Sequence, residues 1–162
     1  MYDYEHTQPG TMLRTIFGTI LVVLTTIATA TALKGDMNAA FAVGIPITIL
    51  LVIASLFHSL TVRVSQNEIS LSFGVGLIQK AFLTDEVESA TAVRNRWYYG
   101  LGIKKIPGGW LFNVSGLDAV ELRMRNGKLY RIGTDQPEEL LAAIGSVVRS
   151  EAVCQTTERI KR

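Results

Sequence analysis

Two uncharged stretches set only three residues apart, 15–33 and 37–62, limit what this chain can fold into more than anything else in its 162 residues. A helix rises about 1.5 Å per residue, so about 20 apolar residues cross a hydrocarbon layer of about 30 Å. Residues 15–33 and 37–60 both meet that length. Core helices of a soluble bundle would need a polar face, and neither stretch has a charged stripe at helical spacing. A cleaved leader fits poorly too. Ala28-Thr29-Ala30 resembles a cleavage site, but Asp3 and Glu5 precede the apolar run and a second full-length span follows at once. The sequence therefore predicts a transmembrane helical hairpin turning at Lys34-Gly35-Asp36. Pro46 falls inside the second helix, where it is expected to kink it. Neither span holds an ionisable group near its middle, as a transported ion or a proton relay requires. Arg14 and Arg63 flank the hairpin on one side and Lys34 on the other, with Lys80 further off. That bias predicts a multi-pass membrane protein with both termini cytoplasmic.

Past the hairpin the periodicity changes. No linker follows the second span, so the next domain must sit against the membrane. Residues 61–65 and 69–73 alternate apolar and polar, with Ile69, Leu71 and Phe73 on one face. Further strands are predicted at 77–83, 87–93, 100–106 and 110–114. In 119–132, a two-residue Asn126-Gly127 turn would put Arg131 opposite Leu122. A three-residue loop, Arg125-Asn126-Gly127 with Gly127 at positive φ, puts Val120, Leu122, Met124, Tyr130 and Ile132 on one face and Glu121 opposite Arg131. The second register is the one expected. Asp135-Gln136-Pro137-Glu138 reads as a capping box for an amphipathic helix carrying Leu140, Leu141, Ile144, Val147 and Val148, ending near residue 153. The expected organisation is an N-terminal segment (1–14), the hairpin (15–60), a β domain with its helix (61–153) and a polar tail (154–162).

The stretch RNRWYYGLGIKKIPGGWLFNVSGLDAVELRMRNGKLYRIGTD, residues 94–135, resembles the core of bacterial pleckstrin-homology-like (PH-like) domains, which occur fused to short membrane anchors. The resemblance covers roughly residues 61–150. It implies an α+β membrane protein whose hairpin leads into a mostly antiparallel β-barrel or sandwich closed by one C-terminal helix. It also implies a bacterial plasma membrane, a binding or scaffold role and no reaction. The phosphoinositide pocket of eukaryotic PH domains uses a basic first hairpin, whereas residues 61–73 here contain only Arg63 among basic residues.

Residues 94–131 hold eight basic residues against Asp118 and Glu121 alone. Arg94, Arg96, Lys104 and Lys105 lie close to Trp97, Tyr98, Tyr99 and Trp110, and these eight form the candidate lipid- or partner-binding site. Basic side chains attract anionic headgroups, while Trp and Tyr suit the interface because each has an apolar ring and a polar tip. The bland alternative makes the charges a solvated strand face and the aromatics core, as the alternating Arg123-Met124-Arg125 suggests. The net charge of +2, with no recognised motif, argues against nucleic acid. Gly100-Leu101-Gly102 and Pro107-Gly108-Gly109 lack the strand–loop–helix setting of a phosphate cradle and read as turns. One cysteine, Cys154, excludes an intramolecular disulfide and has no credible histidine partner. No nucleophile–base pair, metal-ligand set or cofactor motif is present, so the sequence predicts no enzyme and no cofactor. Two functional classes stay open: a membrane-face module binding anionic lipid or a membrane-protein partner, and an assembly subunit forming homo- or hetero-oligomers.

Overall fold

The structure, a computed structural model, describes residues 3–160, with side chains described for residues 3–148. The Cys154 side chain and those of the predicted polar tail therefore lie outside the described residues. The chain begins with strand β1 (Tyr4–Pro9) and passes into helices α1 (Thr11–Leu33) and α2 (Met37–Phe57). It continues through β2 (Ser59–Val64), β3 (Glu68–Phe73), β4 (Ile78–Leu83) and β5 (Val87–Arg94). Then come β6 (Gly102–Ile106), β7 (Gly109–Asn113), β8 (Asp118–Met124), β9 (Leu129–Gly133) and helix α3 (Pro137–Ile160).

Both long helices have the length and composition of membrane-crossing segments, and none of either apolar window is buried inside the protein. Neither is therefore buried as the core helix of a soluble domain would be. Threonine is an indifferent helix former, yet α1 carries it without loose polar groups. Thr15, Thr19, Thr25, Thr26, Thr29 and Thr31 each donate to the carbonyl four residues back. The turn uses Gly35 at φ +82°, and Asp36 caps α2 by accepting from the Ala39 amide at 3.0 Å. Pro46 lies inside α2, which runs on to Phe57.

The hairpin does not precede the β domain; it is inserted into it. Residues 4–9, assigned from sequence to a separate N-terminal segment, form β1 and pair antiparallel with β2 from Tyr4↔Val64 to Pro9↔Ser59. Gly10 N donates to His58 O at 2.8 Å, adding a rung where both strands turn into helices. A Cβ on Gly10 would lie 2.9 Å from the Phe57 carbonyl oxygen and 3.0 Å from that of His58. Gly74, in the β3–β4 turn at φ +50°, packs on the Ser55 and Leu56 carbonyls in the same way. Two glycines thus hold the last turn of α2 against the domain. Predicted spans that began at residue 15 and ended at residue 60 give way to helices that begin at Thr11 and end at Phe57, because Ser59 and Leu60 already belong to the ladder.

Two mostly antiparallel sheets follow, in the orders β1-β2-β3-β4 and β5-β8-β9-β7-β6, with β7 and β9 parallel. Among the described residues no strand pairs across the two sheets, so of the expected barrel or sandwich the closed barrel is not formed. One core lies between them, built from Leu60, Val62, Ile69, Leu71 and Phe73 on one side and Phe112, Val120, Leu122, Met124 and Ile132 on the other. Leu140, Ile144 and Val147 of α3 complete it. The β8–β9 hairpin has the expected bulged register: Glu121 opposes Arg131, and Gly127 closes the loop at φ +79°. The capping box is not formed as expected. Pro137 opens α3, Thr134 Oγ1 accepts from the Gln136 amide, and the Asp135 carboxylate bonds His6 Nε2 at 2.7 Å instead. The helix also runs past the expected end, to Ile160.

Candidate functional site

Strand register decides how the eight sequence-derived residues are distributed. Thr11, at the start of α1, bonds Ser115 in the β7–β8 connection at 3.1 Å, and Gln8 Nε2 donates to the Ser115 carbonyl. These bonds fix one end of the second sheet against the base of the helical hairpin. Arg94 pairs with Asp118 across β5–β8, and the Asn95 amide donates to Leu117 O at 2.7 Å. The turn joining β5 to β6 therefore lies at the hairpin-proximal end, and it carries Arg96, Trp97, Tyr98 and Tyr99. Trp110 and Lys105 oppose each other at the other end of the β6–β7 ladder. Three residues at 3.3 Å each put Trp110 about 10 Å further from the hairpin than Asn113. Lys104 lies between, its ammonium folded over Gly100.

The structure thus brings six of the eight to this turn, Lys104 by its folded ammonium, and leaves Lys105 and Trp110 apart. Arg123, Arg125 and Lys128 sit at the distal tip of the β8–β9 hairpin, apart from Arg94 and Arg96. Charge that is continuous along the sequence is divided between two ends in space.

At the proximal turn the aromatics stand edge to face, Trp97 on Tyr98 and Tyr98 on Tyr99. Trp97 is 81% exposed and Tyr98 54%. Arg96 Nη1 donates to the Tyr98 hydroxyl at 2.6 Å, and its guanidinium lies 5.8 Å from that ring's centre. The hydrogen bond to Tyr98 raises the Arg96 pKa above its already high ordinary value, so this cation is permanent. Arg94 reaches Asp118 only at 3.9 Å and stays exposed. Tyr99 is the anchor of the turn. Its ring lies 5.8 Å from the guanidinium carbon of Arg131, which also holds Glu121 at 2.7 Å and Asn95 at 3.2 Å. Arg131 is consequently committed to structure, under the turn rather than on its surface.

Sequence reading missed a second element of the same end. Gly74-Val75-Gly76-Leu77 packs beside the end of α2, and its two apolar side chains are uncovered, Val75 at 63% and Leu77 at 78% exposure. Residues 74–76 fell between the expected strands 69–73 and 77–83, and Leu77, expected to open the second, lies in the turn before β4. The available signal was that this turn holds Val and Leu where Asn, Asp or Ser is usual.

No family model, curated protein or solved structure matches this chain.

Proposed function

We propose that the chain is a non-enzymatic, membrane-anchored PH-like module that binds anionic lipid at the face of its own membrane. One observation carries this reading: the inserted hairpin, the Arg94–Tyr99 turn and the Val75–Leu77 turn all lie at one end of the β domain. A bilayer around α1 and α2 would meet exposed apolar side chains from one sheet and exposed aromatic and cationic side chains from the other. Apolar side chains and indole rings gain free energy in the headgroup layer, and each nearby cation adds about 1 kcal/mol against an anionic surface. Because β1 and β2 pair, both ends of the hairpin and the β domain share one side of the membrane. The flanking basic residues favour the cytoplasmic side, and the PH-like resemblance favours a plasma membrane. Two sheets around one core with a helix at the C-terminus support the PH-like assignment.

The assembly reading rests on a different observation. β5 is an edge strand with most of its side chains exposed, and beside it α3 leaves a groove of about 570 Å³ over Ala90, Leu141 and Gly145. Open edges invite pairing with another chain.

The two tryptophans of the chain make the test direct. Full-length W110F and W97F are reconstituted into vesicles whose lipids are brominated near the headgroup. In the lipid-facing module Trp97 is quenched and Trp110 is not, and R94Q/R96Q weakens the Trp97 quenching in anionic vesicles. Equal or absent quenching of both would overturn it and leave the assembly reading, read as an oligomer indifferent to lipid charge.

A further inference from the structure

The base of the helical hairpin holds a cavity that neither the β-domain patch nor the anchor role uses. It is about 240 Å³ and lies between α1 and α2, with Arg14 and His58 at one end and Gly18, Leu21, Leu50 and Leu51 along its walls. We propose that this groove seats one anionic phospholipid, its phosphodiester on Arg14 beside His58 and the start of an acyl chain along Gly18 and Leu50. The inference rests on the membrane reading above and adds a discrete site to it.

Three observations carry it. Arg14 stands one turn into α1, where the Arg14 amide already bonds Gly10 O, so its side chain leaves the first turn beside the α2 terminus. Among the described residues no carboxylate pairs with it. Glu5 is taken by Arg63, Asp3 by Gln66, and Asp36 lies at the opposite end of the hairpin. A cation at the edge of an apolar span without a protein counter-ion is matched by a lipid phosphate, and basic pockets between membrane helices bind such headgroups. His58 Nδ1 bonds the Ser55 carbonyl at 2.9 Å, which orients its ring at the same mouth. Below these polar groups the wall opens at Gly18, where an added Cβ would meet nothing within 4 Å. Charge complementarity at the mouth and apolar walls beneath it describe a lipid rather than a soluble anion.

The test uses the full chain in mild detergent, titrated with phosphatidylglycerol or phosphatidylcholine and read as one-to-one adducts by native mass spectrometry. Phosphatidylglycerol binds more tightly than phosphatidylcholine. R14Q weakens the phosphatidylglycerol adduct about fivefold, as expected for one interfacial charge, while R14K retains most of it. G18L, whose Cβ enters open space, narrows the groove and weakens both lipids. K128Q, an equal loss of charge at the distal tip, changes neither. Equal binding of the two lipids, or phosphatidylglycerol binding that survives both R14Q and G18L, overturns the seat. A separate alkaline wash of membranes containing the chain separates the two failures. Release of the chain by that wash defeats the membrane reading itself, whereas retention with equal lipid binding defeats the seat alone.

Discussion

Replacing Gly74 by alanine tests how tightly the β domain holds the end of α2. An alanine there meets two separate costs. At φ +50° it takes a left-handed conformation that costs an L-residue roughly 1–2 kcal/mol. Its Cβ also falls on backbone oxygens of α2, 2.5 Å from Ser55 O, and backbone cannot swing aside as a side-chain tip does. Crowding of that kind adds about 1–3 kcal/mol. Two controls divide the sum. G127A carries the left-handed cost alone, since nothing lies within 4 Å of its added Cβ. G10A carries crowding alone, at φ −75° with its Cβ 2.9 Å from Phe57 O. Both tryptophans lie in the β domain, so fluorescence melts of the detergent-solubilised chain report that domain while the helices persist. In a domain of this size 1 kcal/mol moves Tm by roughly 4–8 °C. G74A should therefore melt at least about 4 °C below G127A. A G74A melt at or above that of G127A would refute the tight junction.

Two further outcomes follow from the β1–β2 ladder and from its first residue. Replacing residues 10–58 by Asn-Gly joins Pro9 to Ser59 as an ordinary hairpin and should give a folded, monomeric β domain by gel filtration and circular dichroism. A chain starting at residue 61 leaves the β2 edge bare and should aggregate. Tyr4 has a buried hydroxyl without a hydrogen-bond partner, and burial, then the Glu139 and Asp135 carboxylates, push its pKa above the ordinary 10.0. The unfolded chain then ionises first, so this contribution to stability is complete below about pH 10 and is lost as pH rises through the folded value. Y4F should change neutral-pH stability by less than about 1 kcal/mol and flatten the alkaline decline, measured as Tm against pH. An unchanged slope would rule out Tyr4 as its source.

What the sequence disclosed depended on how sharply one face was marked as buried. In β8–β9 a slip of one residue would have driven Arg131 into the core, so the bulged loop was legible down to the Glu121–Arg131 pair. β1 carries no such mark. Its inward residues are Tyr4, His6 and Gln8, and Gln8 is buried by bonding Ser115, not by being apolar. Its partner also lies beyond two helices, where local pattern has no reach. The aromatic–basic cluster was visible as composition, but its division depended on the β5–β8 and β6–β7 registers. Arg14 was read alone, as an orientation signal, and His58 lies more than forty residues further along the chain. Only the packing of α1 on α2 puts them at one groove.

The insertion of the hairpin between β1 and β2 has a consequence for how the chain is made. β1 leaves the ribosome first and its partner last of the four N-terminal elements, so the strand must wait while both helices are synthesised. In open solution, closing that long connection would cost entropy that grows with its length. Two helices packed antiparallel remove most of that cost, because they deliver Gly10 and His58 side by side, within one hydrogen bond of each other. The helical pair then serves as the turn of a β-hairpin, and pairing of β1 with β2 depends on the two helices having packed first.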